Sequence, residues 1–309
     1  MVGIWVIGIA ARVSEAMGSG SRGAYGFRLV VPPHEAELPD LSALDGDALS
    51  VSLEWRHASA LSERNRVDDE CVSLAERGTS SLEVRRDPPS IILEFPEPTT
   101  PEALVHPLLT PPISILARWR GDVTLHAGSF YANGLAWAVL GAREAGKSTM
   151  LAKLAERGCP LLADDLLVLD EDVVRAGPAC IDLRGDAAQR MPAARPLGEV
   201  GARPRYRLTA PQGPARARLG GLFLLGWSDD MPVQIELMPA GEALRYVYEQ
   251  EYMGLLGPAD PQKILDLLGV PMWRVLRPRS WDSTEETTGR ILEITGEKIP
   301  SGSPGGQPE

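Results

Sequence analysis

Over the first hundred residues, apolar and polar side chains alternate in short runs. Ala24 to Val31, Leu49 to Arg56 and Ser80 to Arg85 alternate, and Ser90 to Phe95 is a further apolar run. A period of two marks strands with one buried face, so this portion reads as a small β-rich N-terminal module. The start, Met1 to Ala10, is apolar but too short to span a bilayer, and it lacks the basic region of a signal peptide. It reads as a strand, or as residues supplied by an upstream start codon. Six prolines then fall between Pro96 and Pro112. Proline fixes φ and restricts the residue before it, so a stiff connector is expected here, with a boundary near residue 100.

Beyond that boundary the periods mix. Ile113 to Trp119 reads as a helix and Val123 to Tyr131 as a strand, and Asn133-Gly134 is a two-residue hairpin turn into the apolar run Leu135 to Leu140. The run breaks at Gly141 and resumes as a helix to about Arg157, with Gly158 as its stop and Pro160 just beyond. Leu161 to Asp170 is apolar except at Asp164-Asp165. We read it as a short strand ending at the two acids and a second strand, Leu166 to Leu169, leading away. Only that break brings the acids to the sheet edge where ligands bind. Ala179–Arg184, Leu219–Leu225, Val233–Met238 and Met272–Leu276 read as strands, and Gly241–Leu256 and Pro261–Leu268 as helices. Ser283 and Glu286 form a capping box for a last helix. Residues 301–309 are rich in Gly, Pro and Ser, so a disordered tail is expected.

Composition narrows the field. The 309-residue chain carries 31 Lys and Arg against 42 Asp and Glu, a net charge of −11, which disfavours a general nucleic-acid or anionic-membrane binder. The three cysteines, Cys71, Cys159 and Cys180, share no metal-binding spacing and read as reduced thiols of a cytoplasmic protein. His34 and His57 are isolated and are expected to be solvated.

The candidate chemistry lies at the break after Leu140. Gly141-Ala142-Arg143-Glu144-Ala145-Gly146-Lys147-Ser148-Thr149 is G-x-x-x-x-G-K-[ST] placed between a strand and a helix, the context that a phosphate-binding loop requires. Gly141 and Gly146 let the backbone turn so that N–H groups point inward at phosphate oxygens, and the following helix adds the positive end of its dipole. Lys147 then reaches the β- and γ-phosphates and the Ser148 hydroxyl holds Mg²⁺.

Asp164 and Asp165 follow this loop unusually closely. With Leu125-His126-Ala127 upstream, Arg157-Gly158 after the helix, and Leu162-Ala163-Asp164-Asp165, the chain resembles HPr kinase/phosphorylase and its HPr-kinase-like serine kinase relatives, including those that phosphorylate precursor peptides of lasso type. The resemblance is strongest from about Thr124 to Leu169. It continues more weakly to Arg279 through Gly241-Glu-Ala-Leu and Val270-Pro271…Arg277-Pro278-Arg279. It implies an α/β fold: a P-loop core with a mixed sheet and flanking helices over residues 101–300, besides the β-rich module of residues 1–100.

It further implies an ATP-dependent, Mg²⁺-requiring kinase that phosphorylates a serine hydroxyl of a peptide or small protein. Lys147 and Ser148 would bind nucleotide and metal, Asp164 would act as general base, and Asp165 would support metal or substrate. His126 would be an active-site residue, and Asp182, in Cys180-Ile-Asp-Leu-Arg-Gly185, would stand where the family places a metal-binding Glu. Members form ring-like oligomers, so a homo-oligomer is implied, although no residue pattern here reads as that interface. The phosphorolysis segment of bifunctional members is not recognisable, which implies kinase activity alone. A small-molecule kinase and a non-catalytic nucleotide-binding regulator are the alternatives; the paired acids argue against the latter. Arg203, Arg205, Arg207, Arg216 and Arg218 form the densest basic cluster, suited to phosphates or an acidic peptide, or simply a solvated loop.

Overall fold

The computed structural model describes residues 22–32, 37–61, 65–76, 80–200, 203–229, 231–252, 256–257 and 259–297. The expectations for Met1–Ala10, His34 and residues 301–309 lie outside them. The fold is mixed α/β. Two short strands, β1 (Arg22–Gly23) and β3 (Ser42–Ala43), pair with each other. A six-stranded sheet runs in the order β2 (Phe27–Val30), β4 (Leu49–His57), β8 (Ser90–Phe95), β7 (Ser80–Arg85), β6 (Cys71–Glu76), β5 (Arg66–Val67). Strand β2 is shorter than the alternation suggested, because Tyr25 and Gly26 have φ of 55° and 77° and turn the chain first.

The proline-rich stretch is helical. Thr100 caps the turn Pro101–Ala103, a wide turn follows over Leu104–Leu108, and a helix spans Thr110–Arg120. Prolines sit where helices begin, since an N–H in the first turn has no intrahelical partner to lose. Leu104, Val105 and Ile113 are buried in a cluster that also holds Leu53 and Ile91 of the six-stranded sheet, as well as Leu166 and Val168.

The second, nine-stranded sheet holds β9 (Val123–Leu125), β10 (Gly128–Ala132), β11 (Leu135–Gly141), β12 (Leu161–Ala163), β13 (Leu167–Asp170), β14 (Val173–Arg175), β18 (Arg216–Trp227), β19 (Gln234–Leu237) and β20 (Met272–Arg277). The hairpin β10–β11 turns at Asn133 and Gly134, both with positive φ, as expected. Strand β18 is parallel to β11 on one side and to β20 on the other. Three strand ends therefore reach one edge of the sheet together: Gly141, Trp227 and Arg277. A helix, Lys147–Glu156, leaves that edge. A small three-stranded sheet, β15 (Cys180–Leu183), β16 (Arg195–Glu199) and β17 (Pro204–Thr209), stands alongside.

Three further readings of the chain need correction. The helix expected over Gly241–Leu256 spans Ala240–Glu249, and Glu251 forms a bridge with Leu125. Val123–Tyr131 is not one strand, because it breaks at His126-Ala127. The last helix, Trp281–Thr295, is capped by Ser280, whose hydroxyl accepts from the Ser283 N–H; Ser283 is inside the first turn. The break at Asp164-Asp165 is present, with Asp165 in the left-handed region at φ 65°.

Candidate functional site

The two breaks face each other. Leu125 pairs with Leu167, and Ser129 with Ala163, so the ladder is interrupted at His126–Gly128 on one chain and Asp164–Leu166 on the other. At such an interruption backbone groups lose their strand partners and side chains take them up. The His126 ring does so, its Nδ1 lying 3.1 Å from the Asp165 carbonyl oxygen. A carbonyl only accepts, so Nδ1 carries the hydrogen and Nε2 is left to accept from Lys147 Nζ at 3.1 Å. Burial first, and the Lys147 charge second, push the His126 pKa down and keep the ring neutral.

The loop between Gly141 and the helix turns twice through the left-handed region. Gly146, at φ 86°, precedes the first helical residue, and Glu144 also has positive φ, at 71°. Successive turns of this kind aim backbone N–H groups into one concavity. Lys147 is buried and folds back to donate to the Gly141 carbonyl at 2.8 Å. Its pKa is lowered by burial, against the pull of Asp165 and Asp164.

The paired acids have opposite surroundings. Asp164 is buried, with a side-chain exposure of 1% against 33% for Asp165. Oδ1 of Asp164 accepts from the Ser148 hydroxyl and from the Asp165 N–H, both at 3.1 Å, and its Oδ2 accepts from the Asp182 N–H at 3.3 Å. Burial, then the charges of Asp165 and Asp182, raise its pKa well above the usual carboxylate range. Asp165 instead faces a cavity of about 650 Å³ lined also by His126, Arg143, Glu144, Gly146, Lys147, Ser148, Thr149 and Asp182. Gly141, Ala142 and Ala145 of the same loop are not among the residues that line the cavity.

Asp182 lines the cavity, but its carboxylate belongs to arginines: Arg207 Nε donates to Oδ1 at 2.6 Å, and Arg205 lies 3.5 Å from Oδ2. Arg207 is fully buried and donates to the His106 carbonyl at 2.5 Å, so it ties the three-stranded sheet to the turn Leu104–Leu108. The basic cluster thus divides. Arg203 and Arg205 line the cavity, whereas Arg216 pairs with Asp45 and Asp47, and Arg218 with Asp172. Arg143, Arg184, Arg203 and Arg205 all line the cavity, with Arg184 paired to Glu144 and Arg205 to Asp182, and burial, then the charges of Arg143, Arg205 and Arg184, lowers the Arg203 pKa.

Trp227 was not singled out in the sequence, and Arg277 entered only through the resemblance, with no role in the site. Arg277 is buried, donates to the Ala145 carbonyl at 3.1 Å and to the Thr284 hydroxyl at 2.8 Å, and lies 4.1 Å over the Trp227 ring. No carboxylate pairs with it among the described residues, and burial lowers its pKa to about 10. A buried cation with no counter-charge among the described residues, beside the Gly141–Gly146 loop, is suited to an anionic ligand. Trp227 donates through its indole N–H to the Glu144 carbonyl at 3.0 Å. The available signal was that Trp227 and Arg277 end two parallel apolar strands, where ligands of such sheets bind.

Mg²⁺ fits this donor set. Ser148 and Asp164 supply adjacent oxygen ligands of the hard type that the ion prefers. No family model matches the chain, and no curated protein matches it. Among solved structures, the chain is similar to an HPr(Ser) kinase/phosphatase from Coxiella burnetii, at 14% identity, covering 55% of this chain and 98% of that one, with a TM-score of 0.27. A TM-score that low carries no argument about activity, so the functional reading rests on the site.

Proposed function

We propose that this protein is an ATP-dependent, Mg²⁺-requiring kinase that transfers the γ-phosphate to a serine hydroxyl of a peptide or small protein, with a ribosomally made precursor peptide as the preferred acceptor. The observation that carries this reading is the pair of differently placed acids beside Lys147 and Ser148. Phosphoryl transfer needs charge neutralisation and in-line positioning, and bound Mg²⁺ supplies part of the first. Lys147 and Arg277 supply the rest as cations near the phosphates. Asp164, hydrogen-bonded to Ser148, holds that hydroxyl in position. Asp165, the carboxylate on the cavity wall, takes the base role expected of Asp164: it accepts the proton of the acceptor hydroxyl as the oxygen attacks. Neutral His126 positions Lys147 and the Asp165 backbone. Asp182, held by Arg207 and Arg205, acts through its backbone N–H on Asp164 rather than as a metal ligand. Arg143 and Arg203 on the cavity wall, beside Arg184 and Arg205 with their own carboxylate partners, favour an acceptor with acidic residues near its serine.

The test is incubation with ATP, Mg²⁺ and serine peptides with acidic flanks, read by mass spectrometry. A phosphopeptide supports the reading, and unchanged peptide with measurable nucleotide binding overturns it. Lys147→Ala is expected to weaken nucleotide binding, whereas Asp165→Asn retains binding and loses at least a hundredfold in transfer, the usual contribution of a general base.

A further inference from the structure

Behind the cavity wall a third side chain joins the two acids. His106 is 1% exposed and, among the described residues, its Nε2 has no hydrogen-bond partner. That atom lies 3.7 Å from Asp164 Oδ2 and 3.9 Å from Asp165 Oδ2, too far for a hydrogen bond to either. A buried polar atom left unpaired is costly, so one aimed between two carboxylates calls for an occupant. The local chain fixes the aim. His106 precedes Pro107 and is extended, at φ −153° and ψ 127°, within an otherwise helical stretch, and its carbonyl is held by the buried Arg207. The charges also lack an answer. Asp182 has its arginines, but among the described residues neither Asp164 nor Asp165 has an ion pair with arginine or lysine.

We infer that His106 Nε2, Asp164 Oδ2 and Asp165 Oδ2 are the ligands of one divalent transition-metal ion, distinct from the Mg²⁺ expected at Ser148 and Asp164 Oδ1. All three ligand atoms lie within 4.8 Å of one another. First-row dications hold nitrogen and oxygen ligands at about 2.0–2.2 Å, which sets neighbouring ligands ~3.0–3.4 Å apart, so His106 closes on each carboxylate by roughly half an ångström and the two carboxylate oxygens, within 4.8 Å of each other, close by at most about 1.5 Å as the exposed Asp165 side chain turns. One imidazole with two carboxylates suits Mn²⁺, Co²⁺ or Zn²⁺, whereas Mg²⁺ favours oxygen ligands throughout. Of the three residues only Asp165 lines the cavity, so the remaining coordination positions open towards it, where water or a phosphate oxygen can enter. Asp165 gives one oxygen to the ion and keeps the other for the cavity.

The site does not depend on the kinase reading, because it binds its ion with no nucleotide present. The test is a titration of metal-stripped, nucleotide-free protein with Co²⁺, followed by visible absorption, and with Mn²⁺, followed by loss of the free-ion electron paramagnetic resonance signal. One ion per chain is expected, retained in excess Mg²⁺, with affinity at least tenfold weaker in His106→Gln. Asp165→Asn, on the accessible wall, is expected to weaken binding similarly and guards against misfolding of the buried variant, which circular dichroism checks directly. No binding by the unsubstituted chain, or an unaltered cobalt spectrum in both variants, overturns the inference. Peptide phosphorylation with ATP and Mg²⁺ is read separately, so either proposal can fail while the other stands.

Discussion

Adjacent aspartates in one chain differ here because one faces a core and the other a cavity. Asp164 closes a small network with Ser148 and two backbone N–H groups, and Asp165, in the left-handed conformation that Asp tolerates better than most residues, turns outward. Burial raises the Asp164 pKa, which gives stability a definite pH dependence. Below the ordinary carboxylate range both folded and unfolded chains carry the proton. As the pH rises past 3.8, the unfolded chain releases it while the folded chain keeps it, so folding weakens until the folded carboxyl also titrates. With chelator present, the wild type is therefore expected to lose stability relative to Asp164→Asn as pH increases, by up to about 1 kcal/mol per pH unit. Denaturant melts of both proteins across pH measure this, and parallel curves would refute it. Which acid turns inward was not legible in Asp164-Asp165, since the two letters are the same and only the surrounding strands separate them.

At the scale of elements, the site is a meeting of ends. The strand Leu135–Gly141, its hairpin and the helix stop at Gly158 follow from glycine, asparagine and apolar spacing, and they stand where those signals put them. The interruption in Val123–Tyr131 left no mark in the hydrophobic pattern, because it is imposed by the facing break at Asp164–Leu166. Strand β17 was equally hidden: its arginines look solvated in sequence, yet Arg207 is buried against Asp182. The contact between the loop and strand β20 carries a sharp prediction. A Cβ on Gly146 would lie 2.6 Å from Arg277 Nη2, at a φ of +86° that L side chains rarely adopt. Gly146→Ala is expected to cost about 1–2 kcal/mol of stability and to weaken nucleotide binding at least tenfold, read by thermal melts and nucleotide titration. Unchanged affinity would mean that Arg277 does not set the loop.

Across the whole molecule, burial couples the parts. One cluster runs from Leu53 and Ile91 in the six-stranded sheet through Ile113 to Leu166 and Val168, immediately behind the paired acids. The same stretch of chain holds His106 against Asp164. Shared burial of this kind makes unfolding cooperative, because opening either side exposes the apolar surface of the other. A single calorimetric transition is expected, with Leu53→Ala lowering its midpoint at a cost of about 2–5 kcal/mol. Two resolved transitions, with only one moved by Leu53→Ala, would contradict the coupling. Among the described residues no helix is long and apolar enough to cross a membrane.

Local chemistry determined much of this protein by itself. The glycine spacing, the lysine and serine behind it, the closely following acids and the alternation of the N-terminal strands are short-range signals, and short-range physics reads them. The tertiary structure alone decided which acid is buried, that Asp182 is taken by Arg207, that Arg277 stands without a counter-charge among the described residues, and that His106 points between two carboxylates. Each of those facts is a distance between groups far apart in the chain, and side-chain pattern constrains such distances only through the packing of every element between them.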